Sequence, residues 1–317
     1  MPVQVRFLIV EKAAPFRSVV PYNQNCAEQS ELRGKAAFDP RIDGDSLVKR
    51  ITLRVAFAVI VLVNLYSAAA LRAQTPAAAP EAKAPLAAPE VPPVSDAQKA
   101  REERLKVDFP WLARFKEADL ALRPPSAGEN RVVFMGDSIT QAWQIEGPEG
   151  SFPGKPYINR GISGQTTPQM VLRFRQDVIA LKPKVVVILA GINDIACNTG
   201  PETLEQIEDN LASMADLATA NQIRVVLCST LPAFNISWHP GVTPAPKVLA
   251  LNEWIKAYTA QKGYVYVDYH TPMKDQRDGL PPSLSKDGVH PTPDGYAVMA
   301  PLVEAGIEKA LKAGNSK

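Results

Sequence analysis

Five short apolar runs, each broken by a turn rich in glycine, asparagine or serine, punctuate the chain from residue 132 onward: VVFM at 132–135, YIN at 157–159, VVVILA at 185–190, IRVVLCS at 223–229 and YVYVDY at 264–269. Between them lie stretches with helical patterning at 168–181, 201–220, 246–261 and 293–313. This alternation predicts a parallel β-sheet held between layers of helices. The run VVVILA is almost continuously apolar, as a strand covered on both faces must be. In such a sheet ligands bind beyond the carboxyl ends of the strands, and the polar motifs fall there.

The pattern also divides the chain. From Ser95, a suitable helix N-cap, the sequence turns rich in Ala, Leu, Glu and Lys as far as Leu122. The main folded domain, over 95–317, is expected to begin here. Residues 74–94 are a Pro/Ala linker, which proline keeps extended and outside any core. Residues 47–73 run from basic (Lys49, Arg50, Arg54) through apolar (55–65) to small (67–70 and Ala73), the order of a secretory signal peptide. The apolar run is shorter than the roughly 20 residues of a confident membrane span. Residues 1–46 carry no periodicity and stay unassigned. Either Met1 lies upstream of the functional start, near Leu47 or Val48, or residues 1–46 are a cytoplasmic tail on an uncleaved anchor. The first is favoured because the signal pattern fits a start there. The expected location is therefore periplasmic or secreted, the alternative an inner-membrane tether through residues 55–71.

The 317 residues, 46% apolar and 21% charged with a net charge of +2, have an ordinary globular balance. No basic stripe with interleaved aromatics is present, which argues against a nucleic-acid partner. Three cysteines, Cys26, Cys197 and Cys228, make neither a disulfide framework nor a zinc ribbon. A Cys197–Cys228 bridge is conceivable in an oxidising compartment, but two free cysteines are the simpler reading. There is no H-E-x-x-H and no clustered His/Cys/Asp set, so neither metal nor cofactor is expected.

Four motifs carry candidate chemistry. Gly136-Asp137-Ser138-Ile139 follows the first strand at once, where a serine could be a helix N-cap or an exposed nucleophile. The α/β-hydrolase elbow G-x-S-x-G is absent. Asp287-Gly288-Val289-His290 places an acid three residues before a histidine, close enough for the carboxylate to fix the imidazole tautomer. The other histidines, His239 and His270, lack such a partner and are expected on the surface or in a substrate loop. Asn159-Arg160-Gly161-Ile162-Ser163-Gly164 and Gly191-Ile192-Asn193-Asp194 end two more strands, and offer a glycine N–H and an asparagine amide to a developing oxyanion. Alone, each of these would pass as a turn.

Taken in order, the four blocks resemble the SGNH (GDSL-type) hydrolase family, in its bacterial lysophospholipase/acylhydrolase-like branch. Ser138, Gly161, Asn193 and His290 match the four residues of the family's name, and Asp287 matches its acid. The resemblance covers roughly residues 100–313 and departs at Ile139, where the name-giving motif has leucine. It implies a flavodoxin-like three-layer α/β/α sandwich with a five-stranded parallel sheet. It also implies metal-free ester hydrolysis through an acyl-enzyme, with Ser138, Asp287 and His290 as triad and with Ser138, Gly161 and Asn193 holding the oxyanion.

The loop 231–247 brings Phe234, Trp238 and His239 as candidate substrate contacts, and 271–285 is a second specificity loop. Trp143 is a third candidate wall, with core packing favoured for it. No long apolar lid for a fatty acyl chain is evident. The preferred reading is an esterase of small acyl esters, on a small-molecule or glycan substrate such as an O-acetylated carbohydrate. The alternatives are a lysophospholipase or thioesterase, and a non-catalytic glycan-binding module of the cell envelope. The export reading makes one prediction: N-terminal sequencing of the mature protein gives a first residue near Gln74, and an intact 1–46 segment on membranes would overturn it.

Overall fold

The structure is a computed structural model and describes residues 95–313. The unassigned segment 1–46, the signal or anchor segment 47–73 and the linker 74–94 lie outside the described residues. Among the described residues no helix is long and apolar enough to cross a membrane.

Five strands form one sheet: β1 (Val132–Gly136), β2 (Tyr157–Gly161), β3 (Val185–Leu189), β4 (Arg224–Cys228) and β5 (Val265–Val267), in the order β2-β1-β3-β4-β5. Every pairing is parallel, with Gly136 in register with both Gly161 and Leu189. That order is the flavodoxin-like one, whose direction of winding reverses between β1 and β3. β1 and β3 are buried along their whole length, which accounts for their valine-rich sequences.

Helices cover both faces of this sheet. One layer is α4 (Thr167–Asp177), α6 (Leu204–Ala220) and α7 (Pro244–Lys262), packed in succession, α6 and α7 also against the sheet. The long helix α9 (Pro293–Lys312) lies on β3, β4 and β5. Its Gly306 is required there, because a Cβ would press on the side chain of Val267. Helix starts follow local chemistry. Thr166 and Thr203 form capping boxes with Gln169 and Gln206, and Thr292 caps α9 ahead of Pro293.

Two expectations change. The run from Ser95 to Leu122 is two helices, α1 (Asp96–Val107) and α2 (Lys116–Ala121). Ser95 caps α1 as expected. The break comes at Asp108, whose carboxylate takes the N–H groups of Leu112 and Ala113, and at Trp111, which adopts φ 55° after Pro110. The cysteines differ too. Cys228 is a free thiol facing the core from β4, whereas Cys197 is disulfide-bonded; the two do not pair.

Arg173 of α4 is wholly buried and holds three elements together. Its guanidinium donates to Asp177 Oδ2 (2.9 Å), Gln165 Oε1 (2.6 Å) and the carbonyl of Gly136 (3.0 Å) at the end of β1. Removing one partner of such a buried pair leaves the other charge uncompensated. Arg173→Met is therefore expected to lower stability by about 3–5 kcal/mol, read as a fall in the urea midpoint; an unchanged midpoint would refute the role.

Candidate active site

Three loops at the carboxyl ends of β1, β2 and β3 and a fourth before α9 make the site. The first begins at Gly136, where no side chain fits: a Cβ would overlap Thr140 and lie 2.8 Å from the carbonyl of Leu189. The chain then turns into the short helix α3 (Ser138–Ala142). Asp137, and not Ser138, is its N-cap; Asp137 Oδ1 accepts the Ile139 N–H at 2.9 Å. Ser138 is thereby freed from capping. Its backbone N–H, at the first helical position, has no hydrogen-bond partner among the described residues.

Ser138 Oγ lies 2.9 Å from His290 Nε2, across 152 residues of sequence. His290 Nδ1 lies 2.6 Å from Asp287 Oδ2. An ionised carboxylate can only accept, so Nδ1 carries the proton and Nε2 turns its lone pair to Ser138. Partial burial works to raise the Asp287 pKa, but the His290 N–H, the imidazole and the Val289 N–H together outweigh it and hold the group at about 2. The loop is locally determined. Asp287 Oδ1 accepts the N–H of Val289 (3.0 Å) and of His290 (2.8 Å), while Ser285 Oγ donates to it at 3.1 Å and accepts the Gly288 N–H at 3.0 Å. Gly288 has φ +82°, and a Cβ would lie 3.1 Å from Asn235 Oδ1. Ser285 escaped the sequence reading, although a serine two residues before the acid was the available signal. From α9, Tyr296 donates its hydroxyl to the Ile139 carbonyl (2.8 Å), tying the histidine loop's helix to the serine's.

The structure places the expected oxyanion donors differently from one another. Gly161 faces away: its N–H donates to Asn159 Oδ1 (2.8 Å), and a Cβ there would lie 2.7 Å from Gln141 Cα. The expectation that its N–H is available is corrected by this local turn. Three residues on, Gly164 adopts φ +74° and its N–H has no partner among the described residues. Asn193, on the turn helix α5 (Ile192–Ile195) after β3, is buried beside the serine turn. Its amide donates to Asp137 Oδ2 (3.2 Å) and to the Gln165 carbonyl (3.0 Å), and its oxygen accepts from Asn198 (2.8 Å).

Of the loop residues, Trp238 approaches the site, its ring centroid 5.9 Å from that of His290 and its Nε1 donating to Asn198 Oδ1 at 3.1 Å. His239 is half-buried beside it. Phe234 is exposed, its ring beneath the guanidinium of Arg277 at 4.9 Å. Trp143 is core, stacked on Tyr296 with Nε1 on Ser151. His270 is buried, in α8 (His270–Met273), with its backbone N–H on Ser229 Oγ, which corrects its expected place on the surface or in a substrate loop.

Residues 134–298 match the model of the GDSL-like lipase/acylhydrolase family, just over half of the chain. An acetylxylan esterase of Geobacillus stearothermophilus is 28% identical in an alignment of 214 positions that covers 56% of this chain and 94% of that protein. An acetylxylan esterase of Xylanibacter ruminicola is 25% identical in an alignment of 221 positions that covers 58% of this chain and 44% of the relative. Among solved structures, a GDSL-like lipase from Bacteroides thetaiotaomicron shares 45% identity at a TM-score of 0.62, covering 64% of this chain and all (100%) of that one.

Burial pushes the Asp137 carboxyl up to about 7, against the opposing Ile139 N–H. The folded protein thus holds this proton more tightly than the unfolded chain does. The resulting stability is present below the ordinary carboxylate range and is lost as pH rises to about 7. Against an Asp137→Asn reference, which cannot ionise, the protein should lose about 2–4 kcal/mol between pH 4 and pH 8 in urea unfolding; a pH-independent difference would refute this.

Proposed function

The chain belongs to the GDSL-like lipase/acylhydrolase family and is a carboxylic ester hydrolase; from that premise we propose that Ser138 is its nucleophile and that it removes small acyl groups, acetyl above all, from carbohydrate esters. The observation that carries the reading is the relay from Ser138 through His290 to Asp287, at 2.9 and 2.6 Å.

The chemistry runs on this chain's own groups. Ser138 Oγ attacks the acyl carbon while His290 Nε2 takes its proton. Asp287, kept ionised, orients the ring and stabilises the imidazolium. The oxygen that becomes negative is held by the N–H groups of Ser138 and Gly164, neither of which has a hydrogen-bond partner among the described residues. Asn193 joins them if it gives up its 3.2 Å bond to Asp137, and otherwise braces the serine turn. His290 then protonates the departing alcohol, and a water that it deprotonates releases the acid and restores Ser138. Each such donor contributes about 2.7–4 kcal/mol to the barrier difference.

The preference for acetyl esters draws on the two acetylxylan esterases among the relatives, the first matched over nearly its whole length. The order of basic, apolar and small residues at 47–73 supports an exported enzyme in the periplasm or outside the cell, where acetylated glycans are met.

Ser138→Ala should cut turnover of p-nitrophenyl acetate by about 10,000-fold or more, and persistent turnover would reject the mechanism. The wild type should favour p-nitrophenyl acetate over the decanoate by about tenfold or more in kcat/KM; preference for the long chain would reject the substrate reading.

A further inference from the structure

We propose that the cavity between α1 and the turns at 163–164, 198–199 and 238–239 is the alcohol-side subsite of this enzyme, and that it takes an oligosaccharide. The proposal rests on the ester-hydrolase reading above and extends it to residues outside the matched family region, since α1 ends before residue 134.

Position comes first. His290 must protonate the departing alcohol, so the alcohol has to leave past the Nε2 edge of its ring. Trp238 stands next to that ring, 5.9 Å between centroids, and is itself part of the cavity wall. Gly164, whose N–H has no partner among the described residues, lines the same space. The cavity therefore begins where the leaving group emerges. Its volume of about 980 Å³ lies at the upper end of the range of about 300–1,000 Å³ typical of small-molecule sites, room for more than one sugar ring.

The chemistry of the wall selects the occupant. Gln98, Arg101, Glu102, Thr199 and His239 line it beside the apolar side chains of Leu105, Phe109 and Trp238, so that donors and acceptors for hydroxyl groups alternate with apolar faces that fit sugar rings. Trp238 is 37% exposed, and its one polar atom is satisfied by Asn198. The indole is thus pinned by its edge, with its apolar face free to lie against a sugar ring. Arg101 is fixed by Nη2, which donates to the carbonyls of Gly164 (3.5 Å) and Asn198 (3.4 Å). Its Nε and Nη1 make no hydrogen bond among the described residues and are available to a substrate. His239, whose pKa is lowered by burial and then by the Arg101 charge, offers one donor and one acceptor in its neutral form.

The test uses acetylated xylo-oligosaccharides as substrate, and the deacetylated oligosaccharide as inhibitor of p-nitrophenyl acetate turnover. In Arg101→Ala and in His239→Ala, KM for the acetylated oligosaccharide should rise about tenfold, the loss of one or two hydrogen bonds. In His239→Ala, which touches neither oxyanion donor, kcat for that substrate should change by less than about twofold. The deacetylated oligosaccharide should inhibit the wild type competitively, with its inhibition constant raised about tenfold in His239→Ala, a change in an exposed loop that spares the fold. Unchanged KM and inhibition constants in both variants would overturn the subsite, as would a shift in decanoate-to-acetate preference, which would mark an acyl pocket. A wild type that cleaves p-nitrophenyl acetate but is not inhibited by the oligosaccharide loses only the subsite, whereas turnover by Ser138→Ala would remove the ester-hydrolase mechanism itself.

Discussion

The carboxyl group of Asp137 is buried one residue before Ser138, with Oδ1 on the Ile139 N–H at 2.9 Å and Oδ2 on the Asn193 amide at 3.2 Å, and the rest of the site is built around keeping those bonds. A carboxyl in the interior is costly unless its oxygens are met by donors or it keeps its proton. Here both devices operate. By capping α3, Asp137 leaves Ser138 with nothing to cap. By holding Asn193, it fastens the turn after β3 to the turn after β1. Arg173 completes the arrangement by taking the Gly136 carbonyl on the preceding residue.

Sheet topology explains why these two turns can be neighbours. In the order β2-β1-β3-β4-β5 the chain winds one way from β1 to β2 and then returns to the other side of β1, so the ends of β1 and β3 share a crevice that no connection crosses. Asp194, next to Asn193, uses the same crevice to tie down α4, through the N–H (2.8 Å) and hydroxyl (2.5 Å) of Thr167. The histidine loop enters last in sequence and is secured from both ends. Ser285 and Asp287 hold it from within, and Tyr296 reaches from α9 to the carbonyl of Ile139 on the serine's own helix.

Much of this was legible in the chain, and the exceptions share a cause. Strands announce themselves by apolar runs, and an acid three residues before a histidine is a local relation that survives folding. The segment NRGISG is different, because it holds two glycines and only one can offer its N–H. Which one is decided by the Asn159 side chain folding back onto Gly161, a three-residue turn that leaves no periodic trace. The break after α1 is likewise set by Asp108 and by a positive φ at Trp111, beneath the level of helix propensity. Long-range relations such as the burial of His270, or the grip of Arg101 on Gly164, depend on which loops meet, and no single segment encodes that.

Two carboxyl groups within reach of one serine end up with opposite character, and the difference lies in how each is held. Asp287 remains 40% exposed on its side chain and is surrounded by backbone N–H groups, which favour its charge and hold it at about 2. Asp137 is fully enclosed, meets fewer donors, and is pushed up to about 7. The exposed acid therefore favours its charged form beside the His290 ring, while the enclosed one serves as a cap and a brace. The two are coupled through His290, since a positive charge there lowers the Asp137 pKa.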